Sequence, residues 1–113
     1  MKNLRNSVSL IGRIGQEPEI TQFEKGTKKA VLSLATDESY KNKEGEKVEN
    51  TQWHRLIVWG PQVTMVEKFI KKGMEICIEG RINYNQWDDK DGKRHYTTEI
   101  LVNDILLLGS ANK

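Results

Sequence analysis

Between residues 74 and 87 the chain alternates with a period of two. Met74, Ile76, Ile78, Gly80, Ile82 and Tyr84 fall on one side, and Glu75, Cys77, Glu79, Arg81, Asn83, Asn85 and Trp87 on the other. Successive residues of a strand point to opposite faces, so this run reads as a strand with an apolar face toward a core and a polar face toward solvent. A helix would scatter the same apolar set around its circumference, so the pattern commits this stretch to a sheet.

The same period recurs elsewhere. Leu4, Val8, Leu10 and Ile14 mark a strand over residues 4–14, and Ala30, Leu32 and Leu34 mark one over 28–39. A further strand covers 51–59, and another covers 94–102, extendable through 105–108. Residues 16–27, with Pro18 and Gly26, read as a connection. Residues 40–50 are polar around Gly45 and read as a projecting hairpin arm, and 88–93 form a turn around Gly92. The period changes only after Gly60-Pro61, where Val63, Val66 and Ile70 lie at helical spacing with Met65 and Phe69 beside them. Proline suits a first helical turn, and Gly73 after Lys71-Lys72 is a stop signal. This is an all-β chain whose single helix separates its third and fourth strands. That order is expected of a five-stranded OB-fold barrel.

Composition narrows the setting. With 113 residues, 36% hydrophobic and 30% charged, the chain fits one globular domain with one core. We place that domain at 1–109, leaving 110–113 as a short remnant. No apolar run approaches the roughly 18–20 residues of a membrane span. The opening MKNLRNSVSL has no apolar stretch or cleavage site of a secretion signal. The single cysteine, Cys77, excludes an internal disulfide and fits a reducing compartment, so a cytoplasmic location is expected. A net charge of +2 does not by itself point to a polyanionic partner. The distribution says more: Lys2, Arg5 and Arg13 precede any acid, and Lys41, Lys43 and Lys47 stud the arm beside Glu44, Glu46 and Glu49.

The aromatic residues demand explanation. Trp87 ends the outward row of its strand, and burying it in the barrel would require a bulge or register break. In 51–59, Leu56 and Val58 make the better core pair, which turns Trp53, Arg55, Ile57 and Trp59 outward. Tyr40, at the base of the arm, has no obvious core neighbours. Such a surface is costly unless something covers it. A nucleobase can, because any base presents a flat π-face to a ring, and Arg55, Arg81, Lys41 and Lys43 are placed to meet phosphates along the same track. The competing reading of any single ring is packing in a subunit interface or at the barrel mouth.

Catalysis finds no support. His54 lies beside Trp53 with no nucleophile motif near it, and reads as a structural or subunit-contact histidine; His95 reads as a surface residue or minor DNA contact. Two histidines and one cysteine, far apart in sequence, do not make a zinc site. The run Asp88-Asp89-Lys90-Asp91-Gly92 fails as a calcium loop, because its first and twelfth ligand positions would be Trp87 and Thr98. Gly12 and Gly15 lack the lysine and hydroxyl residue of a phosphate loop. No cofactor is expected.

Four blocks in order, GRIGQEPEI (12–20), TQWHRLIVWG (51–60), KKGMEICIEGRI (71–82) and WDDKDGKRHYTTEILV (87–102), resemble the bacterial single-stranded-DNA-binding proteins (SSB) over roughly residues 4–109. The resemblance implies a homotetrameric OB-fold protein, without enzymatic activity, that holds single-stranded DNA during replication, recombination and repair, in the cytoplasm and associated with the nucleoid. It implies base stacking at Trp53, Trp59 and Trp87. Tyr40 falls where many members carry another tryptophan, and phosphate contacts are expected at Arg55, Arg81, Lys41, Lys43 and Arg5. Stacking contributes about 1–3 kcal/mol per base, a figure that itself comes from proteins of this kind. Family members usually continue into a tail with an acidic, hydrophobic tip that recruits other replication and repair proteins. Residues 109–113, Gly-Ser-Ala-Asn-Lys, carry no such tip, so recruitment through it is not expected of this chain. A short paralogue of plasmid, phage or mobile-element origin and a shortened chain both fit. A primosome-type OB-fold adaptor and an RNA-binding OB protein are the alternative readings.

Overall fold

The computed structural model describes residues 4–109, which form eight strands and one helix. In chain order they are β1 (Val8–Ile14), β2 (Glu19–Gln22), β3 (Lys28–Asp37), β4 (Tyr40–Lys41), β5 (Lys47–Val48), β6 (Thr51–Trp59), α1 (Gln62–Phe69), β7 (Glu75–Asp88) and β8 (Arg94–Gly109). The five long strands are those expected from the alternation, and α1 sits between the third and fourth of them. One short addition was not foreseen, β2 inside the 16–27 connection; the antiparallel β4–β5 ladder is the expected hairpin arm. Leu4 lies before β1, exposed, and takes no part in that strand's alternation.

The main sheet runs β1–β7–β8–β6–β3–β2, and β1 also pairs with β3 through Arg13 and Ile14. The ring of pairings β1–β7–β8–β6–β3–β1 is therefore closed, as a barrel requires. All of its pairings are antiparallel except β6 with β8, which run parallel through Leu56↔Ile100 and Ile57↔Leu101. Closure depends on Gly12, where β1 passes from β7 to β3. A Cβ there would collide with the backbone carbonyl of Ala35 and stand 2.9 Å from its carbon.

Inside the ring, Ile14, Ala30, Leu32, Leu34, Leu56, Val58, Ile76, Ile78 and Ile100 are buried. Helix α1 covers one end with Val63, Val66 and Ile70, the three positions at helical spacing. Each such side chain contributes about 1.5–3 kcal/mol on burial. Lys28 Nζ on β3 pairs with Glu67 Oε1 on α1 at 3.0 Å, an exposed tie between helix and sheet.

Three hairpin turns share one construction. The N–H of Phe23 donates to the carbonyl of Thr27, that of Asn42 to Glu46, and that of Asp89 to Lys93, at 2.8, 2.9 and 2.9 Å. In each, the fourth residue is a glycine at positive φ: Gly26, Gly45 and Gly92 at 86°, 82° and 81°. Only glycine adopts that conformation freely. Asn42 Oδ1 accepts the N–H groups of Glu44 and Glu46, and Asp89 Oδ1 accepts those of Asp91 and Lys93.

Strands β7 and β8 outrun the barrel as a long hairpin. Its ladder pairs Gly80 with Val102 and continues to Asp88↔Arg94, with a register shift between Glu79 and Gly80. This extension corrects one expectation. Tyr84 occupies the inward row of β7 yet is 72% exposed, because the strand has by then left the core behind. The opposite correction applies to Ile57. It lies on the outward row of β6 but is only 3% exposed, flanked in register by Val31 of β3 and Leu101 of β8.

Candidate nucleic-acid interface

The outward row of β6 carries Trp53, Arg55, Ile57 and Trp59, and cross-strand register extends that face over the neighbouring strands. Trp59 stands opposite Lys29, Arg55 opposite Ser33, and Trp53 opposite Ala35. Leu101 beside Ile57 leads to Arg81 on β7, and the same face continues along the hairpin through Asn83 and Asn85 to Trp87. Trp53, Trp59 and Trp87 are 62%, 47% and 52% exposed. All three expected rings therefore share the outer face of one sheet.

Each indole is held from behind. Trp53 lies against Gly15: a Cβ at that position would overlap its Cζ3 and stand 2.8 Å from its Cη2. The glycine leaves the space in which the ring rests. Trp59 stacks on Phe23 with centroids 5.8 Å apart and planes 24° apart, and Lys29 Nζ lies 5.6 Å from the Trp59 centroid. Trp87 stacks on His95 at 4.3 Å and 17°, and Asp89 Oδ2 lies 2.8 Å from His95 Nε2. Sequence reasoning missed Phe23 and Lys29 as members of this surface, and missed His95 as the partner of Trp87. Phe23 was legible only as part of the 16–27 connection, although an apolar ring three residues before Gly26 in a mostly polar stretch was a usable signal.

The expected cations are disposed unequally. Arg55 is committed: its Nε donates to Glu99 Oε2 at 3.0 Å, and Glu99 Oε1 accepts from Asn85 Nδ2 at 2.6 Å. The Glu99 side chain is only 11% exposed, so this carboxylate holds Arg55 against the sheet. Arg81 is exposed on the same outer face. Lys41 and Lys43 are exposed on the arm with Tyr40, away from the main sheet, and Lys41 faces Lys47 directly across the β4–β5 pair. Arg5 is exposed ahead of β1. A hollow beside Trp53 is lined by Gln16, Glu17, Val31, Ser33 and Arg55.

His54 belongs to the inward row of β6, its Nε2 2.9 Å from Thr36 Oγ1, a hydroxyl that also donates to Glu38 Oε2 at 3.2 Å. Among the described residues, no group of His, Cys, Asp and Glu is gathered to hold a metal ion, and no helix is long and apolar enough to cross a membrane. The Asp89 carboxyl titrates below the ordinary aspartate range because the His95 ring hydrogen-bonds it and the Lys93 and Asp91 N–H groups support its charged form.

Comparison with known proteins bears on this surface. Residues 5–108 match the model of the single-strand binding protein family. Single-stranded DNA-binding protein 1 of Xylella fastidiosa is 39% identical over 105 residues, covering 92% of this chain and 77% of its own. Single-stranded DNA-binding protein 1 of Chlorobaculum tepidum is 39% identical over 106 residues, 93% of this chain and 65% of its own. Among solved structures, a Plasmodium falciparum SSB in complex with ssDNA superposes with a TM-score of 0.84 at 33% identity, covering 96% of this chain and 97% of that one. A deletion mutant of the single-stranded DNA binding protein from Thermus aquaticus gives 0.78 at 28% identity, over 91% of this chain and 50% of that one. A match spanning nearly every described residue, with 39% identity to relatives over more than nine-tenths of the sequence, means that this chain belongs to the single-strand binding protein family.

Proposed function

We propose that this chain binds single-stranded DNA without strong sequence preference and protects it during replication, recombination and repair, in the cytoplasm and on nucleoid DNA, without transforming it. The observation that carries the reading is the set of three half-exposed indoles on one sheet face, each backed by its own support. Bases stack on Trp53, Trp59 and Trp87, with Tyr40 on the arm as a fourth ring, while Arg81, Lys41, Lys43, Arg5 and the shared Arg55 meet phosphates. Placing Lys41 directly opposite Lys47 is unfavourable for the free arm, and an anionic backbone laid across it removes that cost. The domain that does this is residues 1–109; residues 110–113 lie outside the described residues.

Assembly into a homotetramer accompanies this reading. Beyond its contact with β3 at Arg13 and Ile14, β1 has one edge unpaired over residues 8–12 among the described residues. The row Ile11, Cys77 and Leu106 crosses β1, β7 and β8 on the outer face, with Ile11 and Leu106 exposed. An open edge beside an apolar row fits a second copy of the chain.

Titration with oligothymidine tests the main reading. Tryptophan emission should be quenched, and log affinity should fall with log salt by about 0.7 per phosphate neutralised. Equal binding of duplex DNA would overturn the stacking mechanism. Preference for a matched RNA oligomer would replace DNA with RNA as the ligand, and DNA-independent capture of a replication protein would favour the adaptor reading.

A further inference from the structure

The pair at the end of the β7–β8 hairpin does more than decorate it. Register places Trp87 directly opposite His95. Their rings lie nearly parallel at 4.3 Å, closer than the Phe23–Trp59 pair at 5.8 Å. His95 therefore occupies one face of the indole, and Trp87 as a whole remains 52% exposed. The imidazole is fixed in turn by Asp89, whose second oxygen accepts the N–H groups of Asp91 and Lys93. Turn, carboxylate, imidazole and indole thus form one chain of contacts ending at a half-exposed ring.

Resting on the single-strand reading above, we propose that His95 is a positioning residue for DNA binding: it holds Trp87 in one orientation on the hairpin so that a nucleobase stacks on the indole face turned away from the imidazole. An indole projecting from an isolated two-stranded ribbon would otherwise rotate about its side-chain bonds, and each encounter with a base would have to freeze that motion. With His95 behind it, the ordering is complete before DNA arrives, and preorganisation of this kind raises affinity without a new contact to the ligand. The charged groups around the His95 imidazole are Asp89, the turn residues Lys90, Asp91 and Lys93, and the Asp88–Arg94 pair at 3.4 Å, whose two residues stand opposite each other beyond the Trp87–His95 pair.

The test uses the full chain and a dye-labelled oligothymidine. His95→Ala should weaken binding about threefold to tenfold, the range of an aromatic pair's contribution, and His95→Phe should restore it by returning a flat partner. A background of Trp53→Phe with Trp59→Phe leaves Trp87 as the only tryptophan, excited selectively over the three tyrosines. Its emission without DNA should shift in His95→Ala, where the indole loses its stacked partner, and return toward the unmodified value in His95→Phe. Unchanged affinity in His95→Ala, a His95→Phe protein as weak as His95→Ala, or a Trp87 emission that His95→Ala leaves unchanged would each overturn the proposal. Failure of the unmodified chain to bind oligothymidine would strike the functional reading instead. The DNA-free emission profile would still report on the His95–Trp87 pair.

Discussion

Gly12 and Gly15 stand three residues apart on either side of the end of β1, and an added methyl group should do opposite things at the two. At Gly15 the new Cβ meets the far end of the Trp53 side chain, overlapping Cζ3 and lying 2.8 Å from Cη2. Because Trp53 is an exposed ring, it can withdraw until these contacts reach an ordinary 3.4 Å. The backbone bond from the Gly15 N–H to the Ser33 carbonyl at 2.8 Å need not change. Folding stability should therefore move by less than about 1 kcal/mol, since alanine also reduces the freedom of the unfolded chain. Binding should suffer, because the indole leaves the plane in which it waits for a base. Loss of half or more of one stacking contact, worth about 1–3 kcal/mol in all, corresponds to roughly tenfold weaker binding. At Gly12 the methyl group meets the Ala35 backbone, which cannot swing aside, so Gly12→Ala should cost about 1–3 kcal/mol of stability through overpacking. Urea unfolding and oligothymidine titration of both variants decide the matter. A Gly15→Ala protein as destabilised as Gly12→Ala, with unchanged DNA affinity, would refute the claim that Gly15 serves Trp53.

Glu99→Gln should keep the contact to Asn85 while releasing Arg55, so DNA affinity should rise and the salt slope should steepen by about 0.7, read from titrations at several salt concentrations. Lowering the pH should open the β7–β8 turn. The Asp89 carboxyl has a depressed folded-state pKa, so its contribution is present above the ordinary aspartate value and is lost as pH falls through the lower folded value, visible as loss of hydrogen-exchange protection at the Asp91 and Lys93 amides. Ile11→Glu combined with Leu106→Glu should convert the proposed homotetramer to smaller species in sedimentation while leaving the far-UV circular dichroism of the barrel intact.

Alternation made the sheet and its outer face readable, because it reports which side a residue takes. It is silent on whether anything lies on that side. Tyr84 and Ile57 show the gap from both directions: one sits in the inward row past the end of the core, and the other sits in the outward row between two apolar neighbours. Contacts across long sequence separations were equally hidden. Arg55 and Glu99 are 44 residues apart, and nothing local to either announces the pair. The backing of each indole was invisible for a related reason. Gly15, Phe23 and His95 have different local identities, a strand-end glycine, a turn residue and a strand residue, and only the folded register brings each behind its ring. The helix was legible because Val63, Val66 and Ile70 carry its period, and Gly60-Pro61 and Gly73 carry its ends.

The three glycine turns separate shape from charge. Their geometry rests on backbone hydrogen bonds, the glycine and, in two of them, the side chain of the first residue, so the two residues at each apex are structurally spare. Those apex pairs are Glu24-Lys25, Lys43-Glu44 and Lys90-Asp91, each one acid beside one lysine. Exchanging a single apex acid for a neutral residue would unbalance that tip toward the cationic without disturbing a strand. The protein thus carries three independent points at which its sensitivity to salt can be adjusted, by evolution or by design, while the barrel stays as it is.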